Sequence, residues 1–433
     1  MKKVLVISPY FPPVNAADMQ RIRISLPYFS AFGWEPTIVM VDPKYTDLPT
    51  DILLNEDIPE NIKIHQVKAL PKKWTSKMSL GSIALRALWF YRRKVNQLLK
   101  KEKFDLIYFS TTQFPVLILG AYWKKKFSIP YIMDMQDPWH STYYEDKPKA
   151  ERPAKYWFSS RLDKHLEPIA MNHVDGLISV SQAYLDTLNK RYPRLKSLPQ
   201  QVITFGAYQK DFELVQKKQY KFDLPFQKTD GLTHLVYIGR GGKDMKDALT
   251  LLFKGFKKGL ADQHELFCKI RFHFIGTSYA PAGKGIQTIM PIAVKMGISA
   301  YVEEQTDRIP YFQGIFTLLN ADGLIVIGSN DAQYTASKVY PYISAEKPLL
   351  AFFHPESSAA KIIKECEAGR VFSLKNEHLA IDEISQELYL MLSGKRKTTI
   401  NCSVFEQYSA KNLTKKQCQL FNSVLDAGNL PNN

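Results

Sequence analysis

Four stretches of the 433-residue chain carry side chains from which a chemical site could be assembled. The clearest is Tyr237-Ile238-Gly239-Arg240-Gly241-Gly242-Lys243-Asp244-Met245-Lys246-Asp247, which joins an apolar run to a helical pattern. Glycines at 239, 241 and 242 allow backbone to approach a ligand, and Arg240 and Lys246 can present two positive charges to a diphosphate. Lysine at a helix start is disfavoured by the macrodipole, so a bound anion there would compensate. The plainer alternative is a flexible loop with solvated lysines. A second stretch, Gly328-Ser329-Asn330-Asp331-Ala332-Gln333-Tyr334-Thr335-Ala336-Ser337-Lys338-Val339-Tyr340, again leads from a strand into a helix. Thr335 or Ser337 would lie near the helix N-terminus, where free N–H groups receive phosphate oxygens, with Lys338 beside them. Ser337 could equally be an ordinary N-cap. Two anion-attracting elements in one half of the chain are the strongest signal that the residues give.

The other two stretches lie in the first half. Ile132-Met133-Asp134-Met135-Gln136-Asp137-Pro138-Trp139-His140 gathers acids, a tryptophan and a histidine at a strand's carboxyl end, as a substrate-facing rim would. Asp134 as a turn cap and His140 as a surface histidine remain open. Pro9-Tyr10-Phe11-Pro12-Pro13-Val14-Asn15-Ala16-Ala17-Asp18 follows the first apolar run, where a loop of this kind can bring a ligand to a helix. It is not a GxGxxG fingerprint.

Such loops need a scaffold. Apolar runs at Val4–Ser8, Thr37–Val41, Lys63–Val67, Asp105–Phe109, Pro130–Asp134, Gly176–Val180 and Gln201–Phe205 read as strands separated by longer segments. The rhythm restarts at His234–Gly239, Arg271–Gly276, Gly323–Gly328 and Pro348–Phe353. Continuous apolar strands interleaved with helices predict two doubly wound α/β domains built on parallel sheets. Ala207 to Gly231 is polar and without periodicity, which predicts a linker. Phe405 to Leu425 predicts one closing helix, capping the second domain or returning to the first.

Composition narrows the class. The chain is 45% hydrophobic and 23% charged, which excludes disorder as an overall description. Lys and Arg number 58 against 42 Asp and Glu, a net +16 that predicts an anionic partner: nucleic acid, a phosphorylated small molecule or a membrane surface. Four scattered cysteines have no zinc-ligand spacing, and no metal site is expected. The opening apolar run is too short for a signal peptide and none reaches ~20 residues, so a cytoplasmic protein is expected. From Leu80 to Lys103, apolar residues at 80, 84, 87, 91, 95 and 98 alternate with Arg86, Arg92, Arg93, Lys94, Lys100, Lys101 and Lys103. This basic amphipathic helix either lies on an anionic membrane or is a core helix with a basic solvated face.

Taken together the motifs resemble the retaining glycosyltransferases of family 4, which have the GT-B architecture. The resemblance begins with Val4-Leu5-Val6-Ile7-Ser8-Pro9-Tyr10-Phe11-Pro12-Pro13 and continues in Ser179-Val180-Ser181-Gln182. It includes Gly239-Arg240 with Lys246, and ends in Ala336-Ser337-Lys338-Val339-Tyr340-Pro341 through Lys347-Pro348. It implies two Rossmann-like domains facing a central cleft: residues 1–206 for the acceptor, 207–400 for the donor, and 401–433 as a helix crossing back to the first. A sugar would pass from a nucleotide-diphosphate donor to a glycan or lipid-linked acceptor with retention of configuration, as in cell-surface polysaccharide biosynthesis.

Residue by residue, the resemblance implies that Asp137, Arg240 and Lys246 serve catalysis. Gly239, Arg240, Gly241, Lys246, Gly276, Ser337 and Lys338 would hold the donor, and Asn15, Ala16, Trp139 and His140 the acceptor. The Arg240/Lys246 clamp would stabilise the leaving diphosphate without a metal or other cofactor. Nucleic acid ranks last among anionic partners, since its interleaved aromatic and basic motifs are missing. Residues 80–103 would touch the inner face of a membrane. The family's usual pair of glutamates is replaced by Gln333 and Pro341, and Asn15-Ala16-Ala17 stands where glycines are common. A catalytically impaired sugar-nucleotide or glycan-binding protein is therefore the alternative.

Overall fold

Strand β1 (Lys2–Ile7) sends Leu5 and Ile7 into one buried cluster and Val4 and Val6 into another, the period-two alternation of a strand covered on both faces. The computed structural model describes residues 1–75, 81–140, 152, 156–329, 338–374 and 377–428. In it β1 is joined by β2 (Trp34–Val41), β3 (Lys63–Val67), β4 (Leu106–Ser110), β5 (Tyr131–Met135), β6 (Gly176–Ser179) and β7 (Gln200–Val202). All pairings are parallel, in the order β3-β2-β1-β4-β5-β6-β7.

The two faces are covered by different parts of the chain. The helix Ile83–Lys101 lays Ile83, Ala84, Ala87, Tyr91 and Val95 on the Leu5/Ile7 side. On the other side lies the terminal helix Ala410–Gly428, whose Phe421 ring sits 5.3 Å from Trp34 and 5.1 Å from Tyr108. One compact unit thus comprises Met1–Gly206 and the chain from Ala410, and a second comprises Ala207–Ser409.

The second unit holds β8 (Thr233–Ile238), β9 (Ile270–Ile275), β10 (Val302–Gln305), β11 (Gly323–Ile327), β12 (Leu349–Phe353) and β13 (Arg370–Ser373). They form a parallel sheet in the order β10-β9-β8-β11-β12-β13. Phe253 and Phe256 of the helix Lys246–Asp262 meet Phe272 and Phe274 edge-on and seal one face.

Several expectations are corrected. Strands β10 and β13 were not foreseen, because both are edge strands whose side chains are largely solvated and leave no apolar run. The segment 207–231 is no bare linker: Gln209–Lys217 is a helix that buries Phe212, Leu214 and Val215. The closing helix is broken at Ser409, which is extended, and only the part from Ala410 belongs to the first unit. Arg86 does not share the solvated face of its helix. It is buried, and its guanidinium donates to Leu70 O and Tyr45 O at 2.8 Å each. Among the described residues no helix is long and apolar enough to cross a membrane.

Candidate functional site

In the second unit the carboxyl end of β8 is held open by tyrosine hydroxyls. The Tyr342 hydroxyl accepts from Ile238 N (2.6 Å) and donates to Ile238 O (3.1 Å), while Tyr237 donates to Arg240 O (2.9 Å). The next turn is pinned through Gly241, whose N–H donates to Thr277 O at 2.7 Å. A Cβ on Gly241 would lie 2.4 Å from Thr288 Oγ1, so any larger residue would have to displace that hydroxyl. Arg240 turns back onto Asp244 in a two-point ion pair. Lys246 opens the helix Lys246–Asp262 after a single 3₁₀ turn and is exposed.

A second cation approaches from the end of β11. Lys338 precedes the short helix Val339–Ser344. The residue as a whole is exposed, but desolvation of its ammonium, then the like charges of Arg308 and Arg240, push its pKa down to about 8. Arg308 has no counterpart in the sequence reading. It lies beyond β10, and its Cα faces Gly276, which follows β9 in the left-handed region at φ +73°. Gly239, Arg240, Gly241, Gly276 and Lys338 thus all lie at strand carboxyl ends of one sheet. Ser337 and Gln333 lie outside the described residues. Pro341 is the third residue of the helix after Lys338.

The loop between β9 and β10 is organised by a residue that spacing could not reveal. Glu304 accepts from Thr277 Oγ1 (2.8 Å) and from the backbone N–H groups of Thr288 (3.0 Å), Ile289 (3.0 Å) and Met290 (2.7 Å). Four donors on one carboxylate fix the loop that closes over Gly241.

In the first unit the rim after β5 rests on a buried polar network. Asp134 is buried with Oδ2 2.5 Å from Arg21 Nε, and it accepts from Gln136 (2.8 Å) and Tyr108 (3.2 Å). Arg21 also donates to Ile203 O and Thr204 O. Asp18, equally buried, accepts from Thr111 Oγ1, Thr112 N and Thr112 Oγ1. Desolvation raises both carboxyl pKa values above the ordinary range. Asp137 is reached by solvent, yet desolvation of its carboxyl and then the charge of Asp18 push it up to about 6. The structure therefore brings Asp137 and Asp18 into one electrostatic group.

The remaining expected residues have structural partners. Trp139 is buried, stacks on Phe114 at 5.5 Å and donates its indole N–H to Asp163 (2.9 Å). His140 donates its backbone N–H to Glu167 (2.9 Å) and its carbonyl accepts from Arg191 (3.1 Å). Asn15 donates its backbone N–H to Pro49 O (2.9 Å), and Ala16 is buried beside it. Trp139 and Ala16 thus build the wall of the rim rather than its surface.

Residues 30–203 match the model of Glycosyltransferase Family 4, a segment confined to the first unit. No curated protein matches the chain. The GT-B fold is shared with solved structures. HepE of Anabaena in complex with UDP-glucose superimposes with a TM-score of 0.58 at 13% identity, over 98% of this chain and all of that one. WaaG, a glycosyltransferase involved in lipopolysaccharide biosynthesis, gives 0.56 at 13% identity, over 96% of this chain and 99% of that one. The N-terminal domain of Candida albicans trehalose-6-phosphate phosphatase gives 0.62 at 13% identity, over 98% and 97%.

Proposed function

We propose that this chain is a glycosyltransferase that moves a sugar from a nucleoside diphosphate onto a glycan or lipid-linked acceptor, retaining configuration, in cell-surface polysaccharide synthesis. The observation that carries the reading is the grouping of Arg240, Arg308 and Lys338 at the carboxyl ends of the second sheet, where desolvation first and then the charges of the two arginines depress the lysine. Gathered like charges repel, and a diphosphate relieves that repulsion while accepting charge-assisted hydrogen bonds. The UDP-glucose held by HepE and the match to Glycosyltransferase Family 4 support a sugar-nucleotide donor.

In this reading Arg240 and Lys246 hold the diphosphate, with Gly239, Gly241, Gly276, Ser337 and Lys338 around the donor. They stabilise the negative charge that grows on the leaving group. Those side chains supply the positive charge, so no metal ion is assigned to the step. Asp137 is the carboxyl assigned to the reacting centre; with its pKa raised to about 6 it can exchange a proton near neutrality. Asn15, Ala16, Trp139 and His140 frame the acceptor side. The basic face of the helix Ile83–Lys101 brings the protein to the inner, anionic face of a membrane.

A thermal-shift screen of nucleoside diphosphates and their sugars tests the donor half. Stabilisation by at least one, lost in Arg240→Ala/Lys246→Ala, is expected; no shift with any donor overturns it. Pro341, where the resembled family carries glutamate, favours a second reading: a binding protein without turnover. Release of nucleoside diphosphate from any donor that binds would end that alternative.

A further inference from the structure

Away from the cation group, four ionisable side chains form an unbroken line through the second unit. His234 on β8 and His273 on β9 are buried, 2% and 3% exposed, with Nδ1 of His234 2.9 Å from Nε2 of His273. Beyond them, His273 Nδ1 is 3.1 Å from Glu303 Oε2 on β10. His234 Nε2 is 3.2 Å from Asp230 Oδ1 and 3.2 Å from Gln227 O. Strand register explains the line. His273 pairs directly with Glu303, and His234 pairs with Arg271, two residues before His273 and so on the same face. Phe226 stacks on His234 at 4.3 Å and lies 5.0 Å from His273, covering both rings.

Counting protons shows what this line requires. There are three contacts, each needing one hydrogen. The carboxylates and the carbonyl bring none, and two neutral imidazoles bring two. With only two, either the facing ring nitrogens or one ring nitrogen and a carboxylate meet lone pair to lone pair. A third proton completes every contact and leaves one positive charge shared by two rings between two carboxylates. A fourth would set N–H against N–H at the central contact.

We propose that Asp230, His234, His273 and Glu303 form a buried proton-binding site that keeps one added proton near neutrality, and that this proton fastens the segment 222–230 to the second sheet. Among the described residues that segment is also tied by Phe222, which meets Phe316 at 5.5 Å, by the Asp223 carbonyl, which accepts from Gln313, and by Lys228, which donates to Asn320, while Phe226 and Asp230 act on the histidines themselves. Other charges on the surrounding elements are engaged elsewhere. Asp322 accepts the His234 backbone N–H (2.8 Å), Arg271 donates to Cys268 O and Ile270 O, and Lys228 donates to Asn320 (3.2 Å). Lys347 is influenced by Lys228 and Asp322. Burial pushes His273 below its ordinary value, opposed by Glu303 and reinforced by His234.

The linkage has a definite sign. Unfolded, the two histidines bind two protons at low pH, one near pH ~6.5 and none well above it. The folded pair binds one between its lower and upper steps. Its contribution to stability therefore rises with pH below about 6.5 and falls above it, as the upper step is passed.

Nitrogen-15 NMR on the histidine-labelled full chain, which has nine histidines, tests the count. Spectra of His234→Gln and His273→Gln assign the pair. Three imidazole N–H protons on the pair at pH 6.5 are expected; two or four overturn the proposal. Glu303, with a side chain 64% exposed, can be neutralised without threat to folding, and Glu303→Gln should lower the pH at which the third proton is lost. An unmoved step also overturns it. Hydrogen exchange tests the fastening. Protection of 222–230, corrected for base catalysis, should fall about tenfold between pH 6.5 and 8.5 in the wild-type chain. Constant protection there would remove the second half of the proposal.

Discussion

Arg240 and Asp244 are joined twice, Nη1 to Oδ1 at 3.0 Å and Nη2 to Oδ2 at 2.6 Å. Desolvation alone would raise the Asp244 pKa, but the hydrogen bonds and charge of Arg240 outweigh it, and the carboxyl ends below its ordinary value. The side chains are 31% and 40% exposed, so a pair of this kind contributes no more than ~1 kcal/mol. Asp244 thus holds Arg240 in place, yet weakly enough for a doubly charged anion to take it over.

The first prediction follows from that exchange. Asp244→Asn should tighten nucleoside diphosphate binding severalfold by calorimetry, because the carboxylate that competes with the diphosphate for Arg240 is neutralised. Arg240→Ala should weaken it by ~1.5–3 kcal/mol, the range for hydrogen bonds to charged groups. Weaker binding in Asp244→Asn would mean that the carboxylate orients the arginine rather than competing for it.

Binding should also carry the signature of Lys338, whose pKa lies at about 8. An anion favours the charged ammonium, so complex formation near pH 8 takes up a proton, and affinity declines as pH rises past 8. Calorimetry in buffers of different ionisation enthalpy measures the uptake. Lys338→Met should abolish it; uptake that persists in that variant assigns the proton elsewhere.

Asp137 predicts the acidic limb. If its carboxylate accepts a proton in the reaction, kcat/KM should fall about tenfold per pH unit below about 6. Removing the nearby charge with Asp18→Asn should move that limb to lower pH, because Asp18 raises the Asp137 pKa. A limb that stays put in this variant would separate the two residues functionally.

How much of this was legible in the sequence depends on what made each residue distinctive. The buried strands announced themselves as apolar runs, whereas β10 exposes Glu303 and Gln305 and β13 begins with an exposed Arg370. The Arg240 loop was visible because glycines and cations alternate within a few residues. Arg308, Asp18 and Glu304 were not, since each acts on partners that only chain folding brings near. Glu304 reaches Thr277 and residues 288–290 across a loop, and no local pattern encodes that. Arg86 misled for the reverse reason: a charged residue in a helix was read as solvated, and backbone carbonyls receive it in the interior.

The Arg21–Asp134 pair is correspondingly expected to be structural. Its side chains are 3% and 0% exposed. Arg21→Met would strand a buried carboxylate, at a cost of ~3–5 kcal/mol in denaturant unfolding at pH 7. Because desolvation already raises the Asp134 pKa, the variant should recover part of that loss as pH falls and the carboxyl becomes neutral. A loss below about 1 kcal/mol would show that Gln136 and Tyr108 suffice to satisfy Asp134.

The last prediction concerns the solvated face of the helix Ile83–Lys101. Trp89 is 59% exposed, the Arg93 guanidinium lies 5.5 Å from its ring, and the Arg92 guanidinium lies 4.4 Å from the ring of Tyr122. Lys126 reaches Tyr122 as well, and Lys100, Lys101 and Lys103 continue the exposed charge. Aromatic rings bridged by cations suit a headgroup region, where each basic residue near an anionic surface is worth ~1 kcal/mol. Vesicles with 30 mol% phosphatidylserine should therefore retain the protein in sedimentation, and neutral phosphatidylcholine vesicles should not. Arg92→Gln/Arg93→Gln should weaken retention by at least about tenfold, with a shallower salt dependence. Trp89→Ala should weaken it without changing the salt slope, because its contribution is apolar. Equal retention by charged and neutral vesicles would exclude this face as an electrostatic membrane contact.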